Sequence, residues 1–206
     1  MQERLELKML QDFTRLNPIP RSFYMRETVD VARDLLGSFL VRTFGQRKAV
    51  LRITEVEAYR GTDDPASHAY RGNRGRASIM FGETGIAYVY LSYGINYCLN
   101  VTARSASQDA GAVLIRAAEP IFGLDLLGRE GSQCKVASGP GNLTRALKVD
   151  MSFNGLDLTL KGPLYISRGY LKQYENISSG PRIGISRGRE KQWRFFISGN
   201  CSVSKR

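Results

Sequence analysis

Histidine occurs once in this chain, at position 68, and cysteine only at 98, 134 and 201. An odd number of cysteines at wide spacing, with no CxxC pair and one imidazole to help them, argues against a zinc site or a disulfide framework and fits a reducing compartment. No long apolar run is present, and the start, MQERLELKMLQDF, carries charges throughout, so neither a signal peptide nor a membrane span is expected. The four N-x-S/T matches then carry no glycosylation meaning. There is no P-loop, no Asp-rich metal cluster, no internal repeat and no Pro- or Ser-rich linker, so the 206 residues read as one domain. Acid is scarce as well: 19 Asp and Glu face 30 Lys and Arg, a formal charge of +11. Such an excess points to a polyanionic partner, with a solubility-promoting surface as the plain alternative. Nine basic residues lie from Arg168 onward, against Glu175 and Glu190.

What is present concentrates in Leu51 to Tyr70, LRITEVEAYRGTDDPASHAY. Read as a strand, its alternation places Leu51, Ile53, Glu55, Glu57 and Tyr59 on one face, an apolar stripe that turns acidic and then aromatic. Gly61, Asp63, Asp64 and Pro65 break the strand and deliver His68 to a loop. A carboxylate, an aromatic ring and an imidazole can converge there, although alternation does not choose between Glu55 and Glu57.

Around this stretch, Thr28 can cap a helix whose face is Val31, Ala32, Leu35 and Leu36, with Gly37 as its stop. A strand over 38–43 pairs antiparallel with 50–59 across a turn at 45–48. Arg71, Arg74 and Arg76 interleave with glycines as phosphate contacts or, equally, as a mobile basic loop. Residues 85–103 predict a hairpin turning at Tyr93 and Gly94, which makes Tyr93 a candidate wedge and leaves Tyr88, Tyr90 and Tyr97 on strands that tyrosine favours anyway. Arg116 interrupts an apolar strand over 112–118, where a charge either snorkels out or enters a polar site. Glu119 and Pro120 open a helical stretch to Leu127, and SGPGN at 138–142 precedes a helix over 143–147 whose start suits a phosphate. A strand over 156–166, broken at Gly162 and Pro163, follows the turn at Asn154 and Gly155, and 181–185 with 193–197 forms the last pair. Short strands, few helices and no repeated β-helix-β unit predict an α+β fold. It would be a single compact domain with a mainly antiparallel, curved sheet, short peripheral helices, a protruding β-hairpin and a peripheral N-terminal segment over 1–19.

Seven ordered motifs carry a resemblance over roughly residues 20 to 204: TEVEAY ending at Tyr59, ASH ending at His68, YVYLSYG from Tyr88 on toward Asn100, LIRAAEP from Leu114, SGP from Ser138, PRIG from Pro181 and RFF from Arg194. In combination they resemble the alkyladenine (3-methyladenine, methylpurine) DNA glycosylase family. The resemblance implies a monofunctional base-excision-repair enzyme, acting as a monomer on double-stranded DNA that contains damaged purines. Such an enzyme flips alkylated or deaminated purines, of the 3-methyladenine and hypoxanthine type, out of the duplex, because chemistry on a stacked base requires it. It hydrolyses the N-glycosidic bond and leaves an abasic site, without metal, cofactor or covalent intermediate. Its place would be the nucleoid-containing cytoplasm of a bacterium or the nucleus of a eukaryote, with no membrane.

Carried over residue by residue, Glu57 is the water-activating base and Glu55 its support. Tyr59 stacks on one face of the flipped base while His68 and Tyr90 close the other, and the His68 main-chain NH probes the base edge. Asn100 crowds the amino group of guanine, Ile183 lines the base pocket, Tyr93 is the wedge that fills the vacated stack, and Arg116 lies at the DNA-contact surface. A carboxylate at the attacked carbon can both deprotonate water and favour the developing positive charge, the logic of glycosidases. Two departures accompany the match: Asn142 stands where relatives often carry lysine, and Asn96 where a bulky aromatic can occur. Rival classes are a non-catalytic nucleic-acid-binding module built on the same basic and aromatic residues, and a hydrolase of free nucleosides.

Overall fold

The computed structural model describes residue 13, residues 16–128 and residues 132–204. Most of the 1–19 segment expected to be peripheral lies outside the described residues. Its described end is packed: Pro18 bridges Ser167, and Ile19 is buried.

Among the described residues eight strands form one curled antiparallel sheet, with a few short helices against it, as the α+β reading expects. The strands are β1 (Phe39–Phe44), β2 (Arg47–Arg60), β3 (Ala87–Ser92), β4 (Asn96–Thr102), β5 (Gly111–Phe122), β6 (Leu164–Ser167), β7 (Ile177–Gly180) and β8 (Arg194–Ile197). The main path runs β3-β4-β5-β2-β1-β6, and β8 joins β2 to β7. The helices are α1 (Arg21–Tyr24), α2 (Thr28–Leu35), α3 (Gln133–Val136) and α4 (Pro140–Leu147), none long enough to cross a membrane.

The 14-residue β2 organises the sheet. One edge pairs with β5 along almost its whole length. The other edge pairs with β1 up to Arg52 and with β8 from Glu55 to Glu57. Where partners change, the register slips: Ile53 faces Ala118 and Glu55 faces Ala117, so Thr54 is an extra residue on β2. A further slip between Glu55 and Val56 leaves Arg116 as the extra residue on β5. Such a slip exchanges the two faces of a strand. Leu51 and Ile53 therefore share the main apolar cluster with Val56 and Ala58, whereas Glu55, Glu57 and Tyr59 leave it. The single continuous face expected from alternation is thus corrected: the bulge, and not a gradual change of character, separates the acidic residues from the apolar ones.

Several local expectations shift. Thr28 is the first residue of α2 rather than its cap; its hydroxyl is buried and donates to the Ala103 carbonyl at 2.8 Å. Gly37, at φ +82°, ends that helix as expected. Glu119 and Pro120 continue β5 instead of opening a helix, with Pro120 beside the register shift at Val50 and Leu51, where a missing donor is tolerated. Only Leu164–Ser167 of the expected 156–166 strand is regular; Asp157 ties back to the NH of Thr159, a local bond that competes with ladder pairing. The partner of β8 is β7, and 181–185 is a loop instead of a strand. Cys134 and Cys201 form a disulfide with Cα atoms 5.4 Å apart, against the expectation from their spacing: the fold brings α3 and the C-terminal tail together.

Candidate active site

Two glutamates two residues apart are both fully buried. A buried carboxylate must be paired and hydrogen-bonded. Glu55 meets this requirement with Arg116 Nε at 3.0 Å, Arg194 Nε at 2.8 Å and the Ser204 main-chain NH at 2.7 Å. Glu57 Oε1 accepts the Ile183 NH at 2.7 Å and lies 3.2 Å from an Arg116 terminal nitrogen, while Oε2 accepts the Tyr59 hydroxyl at 2.7 Å. Arg116 thus bridges the carboxylates. Burial alone would lower its pKa, but Glu57 and Glu55 outweigh that and hold it above the ordinary value. An ionised carboxylate offers about four lone-pair positions, so two hydrogen bonds and the Arg116 ion pair leave Glu57 at least one more.

Beside Glu57 opens a cavity of about 690 Å³. Tyr59, His68, Tyr88, Tyr90 and Asn100 line it, with Tyr93 at the hairpin turn and Ile183 on the loop across. Glu57 stands behind this wall, bonded to three of its members: Tyr59, Arg116 and Ile183. His68 begins a short 3-10 turn whose cap, the Ser67 side chain, accepts from the Ala69 NH. Its Nδ1 is 2.8 Å from the Tyr88 hydroxyl, and its ring meets Tyr90 edge-on at 4.7 Å. Although an edge of His68 faces solvent, burial of its inner side and, secondarily, Arg76 push its pKa below the usual value. Burial raises the phenol pKa values of Tyr59, Tyr88 and Tyr90, so all three stay neutral donors. Asn100 is buried and its amide nitrogen donates to the Tyr88 carbonyl at 2.8 Å, which fixes the orientation of the amide.

The structure therefore gathers Tyr59, His68, Tyr90, Tyr93, Asn100, Ile183 and Arg116 around one cavity with Glu57 directly behind it. Arg116, expected at the DNA-contact surface, is only 7% exposed and is engaged with the glutamates. Tyr93 is 89% exposed, at φ +50°, with Ile95 beside it at 77% exposure. Arg71, Arg74 and Arg76 are exposed, and of the three Arg76 lines the cavity.

A profile of the methylpurine-DNA glycosylase family matches residues 22–201. The chain is 44% identical over 191 residues to a protein of Carboxydothermus hydrogenoformans whose name assigns it provisionally as a 3-methyladenine DNA glycosylase, covering 91% of this chain and 99% of that one. A provisionally named 3-methyladenine DNA glycosylase of Methanoculleus marisnigri is 45% identical over 196 residues, covering 91% and 99%. The chain belongs to the methylpurine-DNA glycosylase family. It is accordingly a DNA N-glycosylase, a hydrolase whose substrate is DNA.

This glycosylase holds site residues that sequence reasoning passed over. Arg194 and Ser204 complete the shell of Glu55 from β8 and the tail, and Tyr88 fixes His68. Asp64 and Arg182 form a buried ion pair under Tyr59. Two of the nine basic residues counted toward a DNA surface, Arg182 and Arg194, are thus consumed inside the fold. For Arg194 the signal available was a charge opening an otherwise apolar strand; Asp64 and Arg182 lie in loops, and the partners of all three are too distant in sequence to be named from it.

Proposed function

We propose that this glycosylase excises 3-methyladenine and related alkylated or deaminated purines, hypoxanthine included, by flipping them into the aromatic cavity and attacking the glycosidic carbon with a water activated by Glu57. The observation that carries this reading is the placement of Glu57: buried, held by two hydrogen bonds and an ion pair, and separated from the cavity by Tyr59, Arg116 and Ile183. Its position is fixed before substrate arrives, which is what an electrostatically prepared base needs. Among the described residues Oε2 accepts only the Tyr59 hydroxyl, so its second lone pair can hold the attacking water beside that bond.

The base sits between Tyr59 and the His68–Tyr90 pair, and a cationic alkylpurine gains most from such rings. An alkylated purine such as 3-methyladenine carries its own positive charge, which weakens the bond without an acid; a neutral deaminated purine such as hypoxanthine has no such help and leaves more slowly. The described cavity lining holds no lysine to form an imine with the sugar, which supports a monofunctional enzyme with water as nucleophile. Tyr93 enters the stack where the base was, offsetting part of an unstacking cost of a few kcal/mol.

The test is Glu57→Gln in single-turnover excision on a methylpurine-containing duplex. Loss of a general base costs about 10²- to 10⁴-fold. We expect abasic-site formation to fall by that factor while lesion-duplex affinity is kept; a full excision rate would overturn the reading.

A further inference from the structure

The reaction as proposed uses the aromatic slot and Glu57 but gives no role to the ion pair beneath them. Arg182 and Asp64 have no side-chain exposure, and the guanidinium meets both carboxylate oxygens, at 2.6 and 2.8 Å. A buried pair of this kind is weak grounds for stability, since apolar residues of similar volume often serve as well or better. Its contacts point elsewhere, because each partner reaches a different wall of the site.

Arg182 also donates to the Ala58 carbonyl, between Glu57 and Tyr59, at 2.9 Å. Its guanidinium carbon is 4.7 Å from the centre of the Tyr59 ring and 5.2 Å from that of Trp193. The next residue, Ile183, gives its NH to Glu57. Asp64 accepts the main-chain NH groups of Arg60 at 3.1 Å and Ala66 at 3.2 Å, and its own carbonyl accepts from Ser67, the cap of the turn that carries His68. Gly188 closes over the pair; a Cβ there would come within 3.0 Å of an Arg182 terminal nitrogen.

We propose that Asp64 and Arg182 are the positioning pair of this active site: they set the gap between the Tyr59 and His68 walls and hold the Ile183 NH on Glu57. Neither touches the substrate; both act through Tyr59, His68 and Ile183. The bidentate fork is what suits the task, because it ties the end of β2, the turn before His68 and the 181–185 loop to one another at a fixed spacing.

The inference rests on the proposed roles of Glu57 and Tyr59, so the experiment separates the two. Arg182→Met, Arg182→Lys and the double variant Asp64→Leu/Arg182→Met, which leaves no orphaned buried charge, are compared with wild type and Glu57→Gln. The readouts are saturating single-turnover rate on a methylpurine duplex, half-saturating enzyme concentration, and the fluorescence of an etheno-adenine placed in the duplex, which reports stacking without cleavage. For the double variant, folded by thermal unfolding and circular dichroism, we expect a saturating rate about 30-fold lower, half-saturation within about 3-fold, and altered stacking fluorescence. Arg182→Lys should recover part of the rate, unlike Arg182→Met. A folded double variant with wild-type rate and stacking overturns the positioning role. Full activity of Glu57→Gln together with disturbed stacking in the double variant overturns the assignment of Glu57 and leaves the positioning role standing.

Discussion

The bulged crossing of β2 and β5 and the tip of the β3–β4 hairpin hold the two ends of this site, and they are built by opposite means. At the crossing, Glu55, Glu57 and Arg116 are between 0 and 7% exposed, and each charge is matched by another. At the tip, Tyr93 is 89% exposed at φ +50°, a left-handed conformation that costs a non-glycine residue roughly 1–2 kcal/mol. Gly94 follows at φ +71°, where glycine carries no such cost. In the role proposed for it Glu57 must stay where it is while the substrate comes to it, and its place is over-determined by β5, β8 and the 181–185 loop. In its proposed role Tyr93 must instead stand clear of its own protein to enter the stack of a duplex, and the turn holds it outward at a local cost.

The contrast can be broken most severely at Thr54. Its deletion would remove the bulge and turn either the acidic or the apolar residues of β2 to the wrong face. With a typical stability of only about 5–15 kcal/mol available, we expect no folded protein, read by circular dichroism and thermal unfolding. At the tip, Tyr93→Gly should do the reverse. Stability should change by no more than about 0.5 kcal/mol, because the lost ring made few contacts and the strain is relieved, while lesion-duplex affinity falls about 10-fold in a binding titration.

The smallest effect concerns His68, between the two regions. Its lone imidazole can be followed by NMR and should titrate below the ordinary value of about 6.5. Arg76→Ala should raise that value only part-way, because burial is the larger cause. The sign for stability follows: as pH falls below about 6.5 the unfolded chain takes up a proton that the folded one refuses, so stability declines until the folded value is passed.

The residues from Thr54 to Tyr59, the lone histidine and the YVYLSYG hairpin were legible because their signals are local. Strand alternation, turn residues and a recognisable order of motifs need no long-range partner. The antiparallel β1–β2 pair and Tyr93 at a hairpin turn follow from the same local rules. Composition likewise pointed to a basic, single-domain protein, with a polyanionic partner or a solubility-promoting surface as the two readings of its charge. Less was legible where an interaction closes a long loop. The helical stretch expected from Glu119 to Leu127 shrinks to a 3-10 turn at Leu124–Leu127, because 119–122 is strand paired with β2, and 181–185 leaves the sheet because Arg182 is drawn under Tyr59 by Asp64.

Sequence by itself therefore determined which residue types meet, an acid, aromatic rings and an imidazole, and the family to which they belong. Tertiary structure alone decided how they meet. It placed the bulge at Thr54 that parts Glu57 from the apolar face, the sharing of Arg116 between two carboxylates, and the pairing of Cys134 with Cys201 across 67 residues. The reason is physical: side-chain alternation is a property of one strand, whereas register and the compensation of buried charge are properties of the strands around it.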